Sequence, residues 1–257
     1  MLKWCSDCQQ FIGEIPDFHD FNITHGLCKN CHVTRLTSAE FDLRHARILK
    51  GIQRKFWNAG HRNDLKAAAD IMANDAVEAG VRPVDILVGI IAPLLYRIGE
   101  DWKRGALSVE GEHRFTAFCE KVIDLVETRS RPVVSKADGE NDVLLASAPG
   151  NRHTLAIKIL DLWLASRGKR TRIVDVQLNC GRLINEIRTT RSDILLISMS
   201  LMEQYDGVNE IVGQIAELPE PLRPKVVIGG YAVKLGLVPP INGADLMADI
   251  SGLANHL

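Results

Sequence analysis

The second half of the chain alternates short apolar runs with helical stretches, and this alternation restricts the fold more than any other feature of the sequence. Strands that alternate with helices predict βαβ units, in which the strands are parallel and helices cover both faces of the sheet. We therefore expect an α/β domain with a doubly wound parallel sheet. Strands are predicted at 143–147, 171–176, 194–198 and 225–229, and a shorter one is predicted to follow the run 243–245. Helices are predicted to begin near His153, Arg182, Val208 and Tyr231.

Residues 37–130 carry a helical pattern instead. Apolar residues recur at spacings of three and four from Leu43 to Phe56, which predicts a first amphipathic helix. A second helix is expected over 63–79, ended by Gly80, a third from Pro83, and a fourth after the N-cap residue Ser108. Four helices are typical of a small bundle. The polar stretch 130–141 reads as a linker between this bundle and the sheet.

Four of the six cysteines lie close to the N-terminus, as the pairs Cys5-x-x-Cys8 and Cys28-x-x-Cys31. Two such pairs give four thiolates, the ligand set of a tetrahedral zinc site. Zinc would hold together a segment too short to build its own core. The alternatives are chance pairs, disulfides, which a reducing compartment disfavours, and the haem-attachment motif read from Cys28 to His32. We predict a zinc-ribbon-like segment over 1–36.

Composition and charge exclude several classes of function. Lys and Arg total 31 against 32 Asp and Glu, so the net charge of -1 does not favour a nucleic-acid binder. No apolar run approaches the roughly 18 residues of a membrane span, and the N-terminus lacks the apolar region of a signal peptide. We expect a cytoplasmic protein that does not enter a membrane. The nucleotide-binding and hydrolase motifs are also missing, so an independent enzyme is not predicted.

The end of the third predicted helix and the start of the fourth carry a distinctive string. Trp102 is followed by nine residues and then by Glu112 and His113. This string resembles the helical cap of bacterial cobalamin-binding photoreceptor regulators of the CarH type. The resemblance implies that the indole shields an adenosyl group above the corrin and that Glu112 and His113 bind its ribose or adenine. Lys103 stands where the family's light-exposed state uses a histidine ligand, and its ordinary pKa of about 10.4 opposes that role.

The loop after the first predicted strand, Ala148 to Ala156, resembles the lower-ligand loop of cobalamin-binding domains. The resemblance implies that His153 replaces the cofactor's benzimidazole beneath cobalt, a role that suits an imidazole nitrogen. Asn151 stands where the family has an acidic residue that orients the histidine, although its carbonyl still accepts a hydrogen bond. Ala156 replaces a glycine, and its methyl group narrows the channel for the nucleotide tail.

Later loops continue the resemblance, which covers about residues 40–250. Ser198 and Ser200 match the serine-containing loop that meets the benzimidazole tail in that family. Gly229 and Gly230 match a Gly-Gly pair whose missing side chains let the tail pass. The implied architecture is a zinc-binding segment at 1–36, a four-helix bundle cap at 37–130 and a Rossmann-like, flavodoxin-like cobalamin-binding domain at 140–257.

The function implied by the resemblance is that of a cobalamin-binding sensory or regulatory protein. Adenosylcobalamin is the favoured form, because a light response requires a cobalt–carbon bond that light can break. The cysteine segment stands where these regulators carry a helix-turn-helix, so direct DNA binding is not supported. We expect signalling through a protein partner, such as a transcription regulator or a kinase, and allow for a homo-oligomer. The alternatives are a corrinoid methyl carrier for a methyltransferase and a sensor of haem or another tetrapyrrole.

Overall fold

The computed structural model describes residues 1–34, 43–130, 143–175 and 180–253. The chain divides into two compact units, Met1–Ser130 and Arg131–Leu257. The predicted linker lies outside the described residues except for Ser130, as do the first residues of the predicted bundle and the end of the strand predicted at 171–176. The three domain boundaries given above stay predictions.

The first unit begins with a small three-stranded sheet. Its strands are β1 (Leu2–Cys5), β2 (Phe11–Glu14) and β3 (Ile23–Gly26), in the order β2-β1-β3. Strand β1 pairs antiparallel with β2 and parallel with β3, and a short helix, α1 (Lys29–Thr34), follows. Alternate side chains of β1 and β2 are buried, so one face of this sheet is apolar.

Four longer helices complete the first unit, as the sequence predicts. They are α2 (Leu43–Arg62), α3 (Leu65–Glu78), α4 (Pro83–Lys103) and α5 (Val109–Ser130). The predicted helix ends are confirmed. Gly80, with a φ of 67°, follows the end of α3, and the hydroxyl of the N-cap residue Ser108 accepts a hydrogen bond from the Gly111 amide at 3.1 Å. Helices α3 and α4 each contain one π-helical turn, at Ile71–Asp75 and Leu87–Ile91, which the periodicity does not predict.

The second unit is built around a five-stranded sheet in which every pairing is parallel. The strand order is β5-β4-β6-β7-β8, which is the flavodoxin-like order of doubly wound folds. The predicted α/β fold class is therefore confirmed. The strands are β4 (Val143–Ser147), β5 (Thr171–Val174), β6 (Ile194–Ser198), β7 (Lys225–Gly229) and β8 (Ala244–Leu246). The helices are α6 (Leu155–Ala165), α7 (Cys180–Thr190), α8 (Tyr205–Ala216), α9 (Tyr231–Lys234) and α10 (Ile250–Leu253).

Strands β4 and β6 are neighbours in the centre of this sheet although β5 separates them in the chain. The chain leaves β4 toward one edge of the sheet and returns to build the other side from β6, so the strand order reverses between them. Their residues pair in register from Val143 with Ile194 to Ser147 with Ser198. The two carboxyl ends therefore lie side by side, and a doubly wound fold binds its ligands at this position.

The described helices differ from membrane spans in length or in composition. Among the residues that the structure describes, no single helix is long and apolar enough to cross a membrane. One pair of helices bent at 116°, Leu65–Glu78 with Pro83–Lys103, reaches that length and composition only when the two are taken together.

Candidate functional site

The loops that follow β4, β6 and β7 are tied to one another by backbone hydrogen bonds. The amide of Ala148 donates to the carbonyl of Ser198 at 2.9 Å, and the amide of Met199 donates to the carbonyl of Gly229 at 2.8 Å. Pro149 packs against Gly207 of α8. The structure thus brings the predicted residues of the second unit together at the carboxyl edge of the sheet.

Asn151 is the residue that fixes the loop after β4. Its side chain is fully buried, its Nδ2 donates to the Ser198 carbonyl at 3.0 Å, and its Oδ1 accepts the backbone amide of His153 at 3.0 Å. The sequence analysis expected the Asn151 carbonyl oxygen to accept a hydrogen bond from the His153 imidazole. In the structure this oxygen accepts the His153 backbone amide instead. A carboxylate could not donate to the Ser198 carbonyl, so the amide suits this position better than the acid found in the family.

His153 lies on the exposed side of the same loop. Helix α6 begins at Leu155 rather than at the predicted His153, because the preceding residues form the turn that Asn151 closes. In the part of the chain that the structure describes, no hydrogen bond reaches the imidazole ring, and the side chain is exposed. The imidazole is thus open to a ligand at the edge where β4 and β6 end. Ala156 is partly buried in the first turn of α6.

The loop after β6 is held by a residue that the sequence analysis missed. Gln204 is buried, and its Oε1 accepts the backbone amides of Ser200 at 2.9 Å and Leu201 at 3.1 Å. Ser198 is buried at the end of the strand, whereas Ser200 is partly exposed. One side-chain oxygen therefore sets the position of Ser200. The only signal in the sequence was an amide residue shortly after the serine loop, which is too weak to predict this contact.

Gly229 and Gly230 have a structural reason of their own to be glycines. Gly230 has a φ of 104°, and a Cβ atom there would lie 2.5 Å from the Met199 carbonyl oxygen. A Cβ atom at Gly229 would lie 3.3 Å from the carbonyl oxygen of Met247. The close approach of the loops after β6 and β7 thus excludes a side chain at Gly230. At Gly229 and Gly230 this edge of the sheet therefore consists of backbone atoms, without side chains.

The predicted residues of the first unit lie where α4 gives way to α5. Trp102 is in the last turn of α4 and is 45% exposed, a large fraction for an indole. Glu112 and His113 lie in the first turns of α5, with 3.6 Å between a Glu112 oxygen and His113 Nε2. The Thr116 hydroxyl donates to Glu112 at 2.8 Å, while most of the His113 side chain is exposed. These polar groups and the indole are accessible to a ligand.

A second cluster of aromatic side chains lies where α2 meets the helices α4 and α5. The ring of Trp57 makes an edge contact with His61, with 4.4 Å between ring centroids, and Arg97 places its guanidinium 4.0 Å from the Trp57 ring. Burial lowers the pKa of His61, and the charge of Asp101, the residue before Trp102, opposes that shift. The spacing of Trp57 and His61 on one helix indicates a shared face, a signal that the sequence analysis did not use.

The four N-terminal cysteines come together in the first unit. Their Sγ atoms all lie within 4.8 Å of one another, and those of Cys8 and Cys28 are 3.8 Å apart. Four sulfurs placed tetrahedrally at about 2.3 Å from Zn²⁺ are about 3.8 Å apart, so the donor set fits this ion. A disulfide needs about 2.05 Å between sulfurs, and all four residues are free thiols.

Backbone amides point at the sulfurs of this cluster. The amide of Cys28 lies 3.4 Å from the Cys5 sulfur, and that of Cys31 lies 3.5 Å from the Cys28 sulfur. Burial raises the pKa of Cys5, but hydrogen bonds from backbone amides, including those of Cys8 and Cys28, outweigh it and lower the pKa to about 7. At Cys5 these amides stabilise the thiolate, which is the form of cysteine that binds a metal, whereas burial raises the pKa of Cys8 to about 11.

Comparison with known protein families supports the cobalamin-binding part of the resemblance drawn from the sequence. Residues 54–127 match the model of a family described as the B12 binding domain. Over this stretch the chain is similar to B12 binding domains. The match runs from within α2 to within α5, so the matched stretch includes Trp102, Glu112 and His113, the candidate site residues of the first unit. A search of curated proteins found no match to this chain.

Among the solved structures that are similar to this chain is a corrinoid protein. The monomethylamine corrinoid protein of Methanosarcina barkeri superposes with a TM-score of 0.63 at 13% identity, over 82% of this chain and 96% of that chain. A cobalamin-binding protein from Desulfitobacterium hafniense DCB-2 gives 0.39 at 14% identity, covering 79% and 96% of the two chains. The methanol:cobalamin methyltransferase complex MtaBC of M. barkeri gives 0.37 at 14%, covering 90% and 88%. The first of these shares the fold of this chain.

Proposed function

We propose that this protein binds a corrinoid cofactor, with His153 as the lower axial ligand of cobalt, and presents the bound cofactor to a protein partner. The observation that carries the proposal is the combination of two features in one chain. Residues 54–127 are similar to B12 binding domains, and the sheet that follows exposes His153 at the point where its strand order reverses.

The residues present fit such a cofactor. The exposed imidazole of His153 offers a neutral nitrogen, which is a good ligand for a transition metal, and Asn151 holds the backbone of that residue in place. Ser200 and the Gly229–Gly230 pair would contact the nucleotide tail at the edge of the sheet. In the first unit, Trp102, Glu112 and His113 would offer the cofactor an indole and two polar groups. When bound, the corrinoid supplies a cobalt centre that can carry an alkyl group.

The first role that we propose is that of a corrinoid carrier, whose partner is a methyltransferase. It is supported by the fold shared with a protein named as a monomethylamine corrinoid protein. In this role the exposed indole of Trp102 would shield the bound cofactor. The carrier would bind methylcobalamin and give up its methyl group to an acceptor in the presence of that partner.

A light-responsive sensor is the second candidate, and Trp102 is the observation that favours it. An indole that is 45% exposed at the end of α4, with Glu112 and His113 at the start of α5, offers a flat cover and two polar groups for an adenosyl group. Such a sensor would bind adenosylcobalamin and signal to a transcription regulator or a kinase through contact.

Reconstitution in the dark separates these roles. The full chain is mixed with adenosylcobalamin, methylcobalamin or haem, and its absorbance is recorded before and after illumination. Tight binding of adenosylcobalamin with a light-driven spectral change supports the sensor. Methyl transfer from methylcobalamin to an acceptor supports the carrier. Binding of haem in preference to either corrinoid, or of no corrinoid at all, contradicts the proposal.

The lower ligand is tested by His153→Ala, with Arg152→Ala as a matched control on the same exposed loop. Loss of the nitrogen ligand should change the visible spectrum of the bound corrinoid, and the control should leave it unchanged. If His153→Ala binds the corrinoid with the wild-type spectrum, histidine ligation is wrong.

A further inference from the structure

The cysteine segment and helix α4 share one buried interface. Trp4 of β1 is fully buried and makes an edge contact with Phe11 of β2, with 5.4 Å between ring centroids. Both rings lie against Gly89, in the π-helical turn of α4. A Cβ atom at Gly89 would be 2.3 Å from Trp4 Cζ2 and 2.7 Å from Phe11 Cδ2. The small sheet therefore fits α4 only because this position has no side chain.

The start of α4 is held by a buried ion pair. Arg82 pairs with the fully buried Asp85, with 2.6 Å and 3.1 Å between the paired atoms. Asp85 lies in the first turn of α4, so this pair fixes the beginning of the helix that Trp4 and Phe11 contact.

The segment is also attached to α2. The side-chain amide of Gln53 donates to the carbonyl of Phe21 at 3.1 Å, and β3 packs along this helix. The strands thus bridge two helices of the bundle. Their own fold depends on the loops that bear the cysteines, because Cys5 ends β1 and Cys28 follows β3.

We propose that Cys5, Cys8, Cys28 and Cys31 bind one Zn²⁺ that serves as a structural part of the helical unit, so that loss of the metal releases α4. Helix α4 ends at Lys103, one residue after Trp102, and metal loss therefore changes the support of that indole. The zinc centre stabilises the bundle through Trp4 and Phe11 instead of acting as a separate module. This role goes beyond corrinoid binding and does not depend on it.

The test uses the full chain without any corrinoid. Its zinc content is measured by mass spectrometry, and amide hydrogen exchange is followed in peptides from 83–103. We expect about one zinc per chain. Removal of the zinc by a chelator, or Cys8→Ser, should speed exchange in α4 by about tenfold or more, while β4 and α6 keep their protection. Cys180→Ser in the second unit is the control and should change neither quantity.

A second pair of variants disturbs the interface without touching a ligand. Gly89→Ala forces a methyl group against Trp4, whereas Gly99→Ala, on the same helix, meets nothing within 4 Å. Gly89→Ala should retain zinc and still show faster exchange in α4, and Gly99→Ala should behave as the wild type. The proposal is overturned if the protein takes up no zinc, or if exchange in α4 is unchanged after zinc is removed. Because no corrinoid is present, neither result bears on cofactor binding.

Discussion

Replacing Asn151 by aspartate tests the hydrogen bonds that fix the candidate cofactor loop. The change is nearly isosteric, but it exchanges the Nδ2 donor for a carboxylate oxygen facing the Ser198 carbonyl at 3.0 Å. The family resemblance suggests that an acid at this position improves cofactor binding by orienting His153. The structure leads to the opposite expectation, that Asn151→Asp destabilises the second unit.

The magnitude follows from the burial of this side chain, which has no exposed surface. Burial beside a carbonyl oxygen raises the pKa of the introduced carboxyl group, and each pKa unit corresponds to about 1.4 kcal/mol. A rise of about two units therefore lowers the free energy of unfolding by about 3 kcal/mol at neutral pH. Below its unfolded-state pKa of about 4 the group is protonated in both states and donates to Ser198, so the loss disappears. The loss of stability grows as the pH rises from about 4 through the raised pKa of the carboxyl group in the folded state.

The assay is urea denaturation of wild type and variant at pH 4 and pH 7.5, with hydrogen exchange in β4 and β6 reporting on the second unit. The matched control is Asn185→Asp, because Asn185 is exposed on α7. The control should show no difference from wild type larger than about 0.5 kcal/mol at either pH. If Asn151→Asp is as stable as wild type at pH 7.5, or is destabilised equally at both pH values, the role assigned to the Asn151 amide is wrong.

Three further substitutions test other close contacts. Gly230→Ala should destabilise the second unit by about 2–5 kcal/mol in thermal or urea unfolding, because the residue has positive φ and faces the Met199 carbonyl, whereas Gly213→Ala on the open face of α8 should not. Gln204→Ala removes the side-chain oxygen that accepts the amides of Ser200 and Leu201, so it should lower the free energy of unfolding by about 1–3 kcal/mol. It should also weaken corrinoid binding measured by titration, and equal affinity for variant and wild type would contradict this. Gly60→Ala should cost about 1–3 kcal/mol in the first unit, because its Cβ atom would lie 2.4 Å from Phe115. Gly51→Ala on the same helix meets open space and should not lower the stability, since alanine favours a helix over glycine.

The sequence predicted the elements of this fold because their signals are local. Apolar runs bounded by turn residues predicted the strands from β4 to β8, and Gly80 and Ser108 indicated helix ends that the structure contains. The π-helical turn at Leu87–Ile91 was not predictable in this way, because Gly89 there packs against Trp4 from a distant strand. Periodicity within one helix holds no information about such a partner.

The candidate site shows the same division between local and distant information. His153 stood out because its loop resembles the lower-ligand loop of cobalamin-binding domains, and its position at the carboxyl edge of β4 follows from the strand prediction. The contacts of Asn151 with Ser198 and of Gln204 with the Ser200 amide depend on how loops meet after the sheet has formed. The family pattern predicted a hydrogen bond between Asn151 and the His153 imidazole. Only the folded chain shows that Asn151 bonds to the Ser198 carbonyl and the His153 backbone amide instead.

The hydrogen bond between Asn151 and Ser198 also sets an order of events during synthesis of the protein. The loop that carries His153 leaves the ribosome well before β6, yet it cannot be held in place until the Ser198 carbonyl has joined β4. Gly230, which packs against Met199, emerges later still. A corrinoid that binds through this loop, as we propose, would therefore be acquired by the nearly completed chain, because a nascent chain that stops short of β7 would have no assembled place to receive it.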